Sequence, residues 1–146
     1  MDYVVGVYGP IVAVVWRGAV TQSAVHEVGD VLVHTARRSP TPIAFLTVAQ
    51  FKAPVPSAEV RESIVRCYRS LGSQLACVAQ VVEGEGFWAA AARSFIAGIG
   101  LVSRRQWPMS VFAKVPDALV WIAPHVQLRV DRPTLAAHID VLREAL

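Results

Sequence analysis

An α/β fold with a mixed, mostly parallel five-stranded sheet and covering helices is the class this sequence predicts. Three observations predict it. β-rich apolar runs alternate with stretches of helical periodicity, the first two runs are joined by Gly9-Pro10, and a helical apolar stripe closes the chain. Strands alternating with helices imply right-handed crossovers and parallel pairing, whereas the opening hairpin supplies an antiparallel pair. The order is β-β-α-β-α-β-α-β-α, followed by a C-terminal addition.

The first strand runs from Tyr3 to Tyr8 and the second from Ile11 to Trp16, where Arg17 and Gly18 close it. Thr21, Gln22 and Ser23 are candidate helix caps. Val25, Val28, Leu32 and Ala36 then fall at spacings of three and four, one stripe of a helix ending near Arg37-Arg38. Pro40 and Pro42 stop it before Ile43 to Val48, a short apolar run suited to a buried strand. Gln50 to Pro56 is a loop. Ser57 is an N-cap candidate, with Glu59 and Glu62 placing negative charge at the positive helix end. Val60, Ile64, Cys67, Tyr68 and Leu71 form the inner stripe, and Gly72 fits a C-terminal stop.

Leu75 to Val82 reads as the next strand, and a helix from about Phe87 to Val102 follows the loop Glu83-Gly84-Glu85-Gly86. Pro108 separates that helix from Met109 to Lys114, the fifth strand candidate. Asp117 to Ala123 suits one or two helical turns with Trp121 inward. Val126, Leu128 and Val130 alternate with Gln127 and Arg129 as an extended segment. Leu135, Ile139, Leu142 and Leu146 complete the terminal stripe.

Composition narrows the function classes. The chain has 146 residues, 54% of them hydrophobic and 17% charged, so it holds more apolar surface than one small core obviously needs. A self-association or partner surface is expected. The net charge of +3 comes from scattered basic residues, with only Arg37-Arg38 and Arg104-Arg105 adjacent, so no phosphate footprint is legible and no nucleic-acid partner is expected. The run from Val4 to Trp16 is too short to span a bilayer and contains Gly6, Gly9 and Pro10, so no stable membrane insertion is expected. Asp2 stands where a secretory signal would carry positive charge, and a cytoplasmic location is expected. Cys67 and Cys77 make neither a disulfide framework nor a metal-ligand spacing and read as buried, reduced thiols.

The element order, together with VVWRGAVT (14–21) and VVEGEGFWAAAARS (81–94), resembles the STAS and SpoIIAA-like fold of anti-sigma-factor antagonists. The resemblance covers roughly residues 3–123. It implies a STAS-like domain over 1–125, with 126–146 as an extended segment and helix packed on the same domain. It also implies protein–protein interaction without turnover, or the sensing of a small ligand. The Asp-Ser-Ser/Thr-Gly phosphorylation motif of regulated antagonists is absent from the matching stretch AQFKAPVPSAEVRE (49–62), which leaves Ser57 a helix cap.

A phosphate cradle needs bare backbone N–H groups converging on an anion, often helped by a lysine. At residues 83–86 two carboxylates stand where the anion would go, so Glu85 offsets the helix dipole and the glycines serve the turn. The helix that follows pairs small residues, Ala89 to Ala92, Ala97 and Gly98, with large ones, Phe87, Trp88, Phe95, Ile96 and Ile99. A helix apolar around most of its girth needs burial on two sides. Its second side would meet either another subunit or the C-terminal helix. No His, Ser or carboxylate pattern signals catalysis or metal binding, so neither an enzyme nor a cofactor is expected.

The expected function is therefore a non-catalytic bacterial regulatory or assembly module acting through protein–protein interaction, with a homo-oligomer expected; the alternative is a binding module for a small apolar or acyl ligand. The candidate contact residues are Lys52, Ser57, Arg61, Glu83, Glu85, Phe87, Trp88, Phe95 and Trp107; the four tryptophans mostly suit core or rim positions, and Trp107, beside Arg104-Arg105, is the one singled out as a candidate for exposure.

Overall fold

The structure is a computed structural model and describes residues 2–50, 52–103 and 107–145. Strands β1 (Tyr3–Tyr8) and β2 (Ile11–Trp16) form the opening hairpin, with Gly9 at a φ of +61° in its turn. Then come α1 (Gln22–Arg38), β3 (Ile43–Ala49), α2 (Ala58–Leu71), β4 (Leu75–Val82), α3 (Gly86–Ser103), β5 (Met109–Phe112), α4 (Val115–Ile122) and α5 (Arg132–Glu144). The sheet runs β1-β2-β3-β4-β5. Only the β1/β2 pair is antiparallel; β2 to β5 are parallel.

Successive crossovers step one strand at a time in a single direction, so α1, α2 and α3 lie on the same face. Their inner residues Val28, Leu32, Val65, Tyr68 and Ile99 share a core with Val12, Val14, Phe45 and Val78. Side chains alternate along a strand. The opposite set, Ile11, Ala13, Val15, Leu46, Val48, Ala79 and Val81, therefore meets α4 and α5 through Leu119, Ile122, Leu135 and Ile139. Covering both faces leaves every residue of β2 buried, which is why the parallel strands read as continuous apolar runs.

Local chemistry sets the boundaries. Thr21, Ser57 and Asp131 each accept a backbone N–H from three residues on, capping α1, α2 and α5. Pro40 and Pro42 lie in the turn between α1 and β3. Gly84 and Gly86 take φ of +107° and +80°, a conformation side chains resist, so the turn from β4 into α3 falls there.

Some boundaries and one tryptophan differ at finer scale. The fifth strand ends at Phe112, and α4 starts at Val115, two residues before the expected Asp117. Residues 126–130 lie outside any helix or strand; Val126 and Leu128 pack on the α4/α5 core, Gln127 and Arg129 are exposed, and Val130 is 42% exposed. Trp107 is 4% exposed, held edge-on to Tyr68 with ring centroids 5.4 Å apart, so it fills the interior rather than a contact surface. On α3 the described outward positions, Ala90, Arg93, Ser94 and Ala97, are small or polar. Leu146 and the Arg104-Arg105 pair lie outside the described residues.

Candidate ligand cavity

Parallel strands β2, β3 and β4 end at Trp16, Ala49 and Val82, which are neighbours in register. All three line a cavity of ≈ 100 Å³ enclosed beneath α1, α2 and α3. A crevice outside the carboxyl ends of parallel strands is where open α/β sheets place ligands. It is small side chains that make the space: Ala49 at the end of β3, Ala53 in the loop after it, and Ala92 on α3. The thin, alanine-rich face of α3 thus looks inward, with Ala89 and Ala92 buried.

Helix walls complete it. α1 supplies Val25, Val28 and Leu32; α2 supplies Ile64, Cys67 and Tyr68; α3 supplies Phe95, Ile96 and Ile99. α1 and α2 approach closely because residue 29 is glycine: a Cβ there would stand 3.2 Å from Cys67 Sγ. At the mouth, Pro54 and Val55 are exposed and Pro56 is half-buried. Trp88 closes one side, its indole N–H donating to the Ala53 carbonyl, which ties the first turn of α3 to the β3–α2 loop.

The floor is not wholly apolar. Thr47 and Gln80 are register partners at the centre of the sheet, 8% and 7% exposed, and both line the cavity. The Thr47 hydroxyl donates to Gln80 Oε1, and Tyr68, which also lines the cavity, is buried beside them. Besides Thr47 and Gln80, the one buried polar side chain among the described residues is Ser63, which donates to the Glu59 carbonyl of its own helix. No Asp, Glu, Lys, Arg or His is among the described residues lining the cavity. Burial pushes the Cys67 thiol up to about 11, with Asp30 adding to the shift, and it raises Tyr68 as well, so both side chains are neutral at pH 7.

The candidate contact residues sort by their distance from this cavity. Trp88 and Phe95 line it. Arg61 is half-buried between α2 and α3, with its guanidinium 6.0 Å from the Phe95 ring centroid, a cation–π distance that braces the wall from behind. Lys52 is exposed in the mouth loop with φ +67°, and Ser57, exposed, caps the next helix. Glu83 points elsewhere: it forms an ion pair with Arg143, fastening α5 to the β4–α3 loop. Glu85 is exposed just before α3. Phe87 opens α3, and its side chain lies outside the described residues. The two stretches singled out in sequence, 52–61 and 87–101, do converge, but around an interior space.

Thr47 and Gln80 were not singled out from sequence. The signal was one polar residue inside each of two otherwise apolar strands, IAFLTVA and LACVAQVV. Comparison with known proteins finds no matching family model, no matching curated protein and no matching solved structure.

Proposed function

We propose that this protein is a binding module for a small, largely apolar molecule held between α1, α2, α3 and the carboxyl ends of β2, β3 and β4. One observation carries this reading: a mostly apolar cavity of ≈ 100 Å³ with no charged residue among those described in its lining. A cavity of about 150 Å³ lined by aliphatic and aromatic groups stays dry and accepts benzene, so this one suits a single ring or a short branched chain, with any longer tail leaving past Pro54 to Pro56. On sequence alone, interaction with a protein partner takes precedence. The inward placement of Trp88, Phe95 and Ala92 supports the ligand reading, because part of the apolar surface that motivated a partner lines the cavity.

Native mass spectrometry of freshly purified protein, followed by titration of stripped protein with toluene, tests the proposal. Trp16 and Trp88 line the cavity, so their fluorescence is the readout. Saturable change at these tryptophans, with methyl shifts confined to residues such as Val28, Leu32 and Ile99, is expected. Protein that carries no small molecule and shows no response near toluene's solubility limit would sink the reading.

A further inference from the structure

We infer that the cavity takes its ligand head-in, an uncharged hydrogen-bonding group such as a hydroxyl, carbonyl or amide resting on Thr47 and Gln80 while the apolar body points to the mouth. This rests on the binding role proposed above and adds the ligand's chemistry and orientation.

The argument begins with position. On the helix-facing side of the sheet, the row before this pair is Val12, Phe45, Val78 and Met109, and the row after it is Trp16, Ala49 and Val82. In their own row Thr47 and Gln80 are flanked by Val14 and Val111. Two polar side chains thus stand side by side in an apolar field, where that field borders the cavity. Packing alone would favour valine or leucine at both positions, since a buried amide costs free energy unless its hydrogen bonds are made.

Bonding capacity supplies the second step. A glutamine amide has two N–H donors and an oxygen with two lone pairs, and a threonine hydroxyl accepts as well as donates. The bond from Thr47 to Gln80 uses only part of this. The amide N–H donors of Gln80 and the lone pairs of Thr47 Oγ1 remain to meet a ligand's acceptor and donor.

Charge supplies the third. With no ionised side chain among the described lining residues, a carboxylate or ammonium group placed on this floor would lose its hydration with no counter-charge in return. The floor therefore selects against ions and for neutral polar heads. A site that hydrogen-bonds a ligand group also discriminates against the analogue lacking it, because its own polar atoms are then left short of partners.

Toluene, benzyl alcohol and benzoate share one ring and differ only in the head group. Each is titrated into the full-length protein and into the Thr47→Val/Gln80→Leu double variant. The ratio of benzyl alcohol affinity to toluene affinity is expected to fall at least tenfold in the variant, with benzoate the weakest ligand of the wild type. On the wild type alone, which guards against a variant that does not fold, the Gln80 side-chain amide resonances should move with benzyl alcohol and stay in place with toluene. An unchanged ratio, or an unmoved Gln80 amide, overturns the head-in inference while toluene binding still upholds the cavity as a site. Benzoate as the tightest ligand, weakened in Lys52→Ala, also overturns it and turns the ligand around, head to the mouth. Failure of all three probes in the wild type defeats the binding role and the inference together.

Discussion

The two faces of the sheet are built from the same strands and differ in what they enclose. Against α4 and α5, the side chains of Ile11, Leu46, Val81, Leu119, Ile122 and Ile139 meet without a polar atom, each at most 1% exposed. Against α1, α2 and α3, the residues nearer the amino ends of the strands are buried as fully, with Val12, Ile43 and Val78 at 0%. Only toward the carboxyl ends does that face open, over Thr47, Gln80 and Ala49. The lesson is that the cavity does not come from a shortage of apolar residues. It comes from small side chains and two polar ones placed where three helices diverge, while two helices suffice to fill the other side.

The largest test of this contrast compares truncations. Ile139→Ala on the filled face removes a side chain packed on all sides and should fall in the upper half of the ~2–5 kcal/mol range for such changes. Ile96→Ala borders open space, loses fewer contacts, and should fall in the lower half. Urea denaturation of both variants measures the difference, and equal losses would mean the two faces are packed alike.

Enlargement should reverse the ranking. Ala79→Leu, on the filled face at 0% exposure, should destabilise by ~1–3 kcal/mol through overpacking. Ala49→Leu has the cavity to expand into, so it should cost less and abolish toluene binding. Thermal melts with and without toluene check both halves of that expectation.

The polar pair should behave as a unit. Gln80→Leu leaves the buried Thr47 hydroxyl without its acceptor, a loss of about 1–3 kcal/mol, whereas Thr47→Val/Gln80→Leu removes both partners and should cost less than the sum of the single changes. A double-mutant cycle by urea denaturation reads the coupling directly. Strict additivity would mean that the two side chains do not hold each other.

The two cysteines report on the two faces with the smallest perturbation. Cys77 faces α4 and α5 at 0% exposure, with burial pushing its thiol up to about 12; Cys67 lines the cavity, at about 11. At pH 8 an alkylating reagent should modify Cys67 slowly, more slowly still with toluene bound, and should leave Cys77 untouched until the chain unfolds. Both thiols keep their protons in the folded chain at a pH where the unfolded chain has lost them, near 9. Stability should therefore fall as pH rises above about 9, each thiol adding a slope of up to about 1.4 kcal/mol per pH unit while it titrates only in the unfolded state. Flat stability between pH 9 and 11 would contradict the burial of both.

Much of the fold was legible because it rests on short-range rules. The stripe Val25, Val28, Leu32 and Ala36 is buried along α1, the caps at Thr21 and Ser57 accept the backbone N–H groups expected of them, and the glycines at 84 and 86 take the positive φ of the turn into α3. Trp107 misled because flanking charge says nothing about the ring itself, which Tyr68 and the sheet enclose.

The candidate site was legible only in outline. Residues 52–61 and 87–101 stood out through their composition, and Trp88 and Phe95 do line the cavity. Whether such residues face out to a second chain or in to a cavity depends on how α3 is rotated against α2, and periodicity does not fix that when alanines lie on several sides of the helix. Thr47 and Gln80 are 33 residues apart, and only the parallel register of β3 and β4 makes them neighbours.

By itself, then, the sequence determined the order of strands and helices, their caps and turns, and the apolar character of both sheet faces, because these depend on residues within a few positions of one another. Tertiary structure alone decided that the apolar excess encloses a space and that two distant polar side chains meet on its floor. Those outcomes depend on the register of parallel strands and on the way three helices splay, which no local stretch of chain encodes.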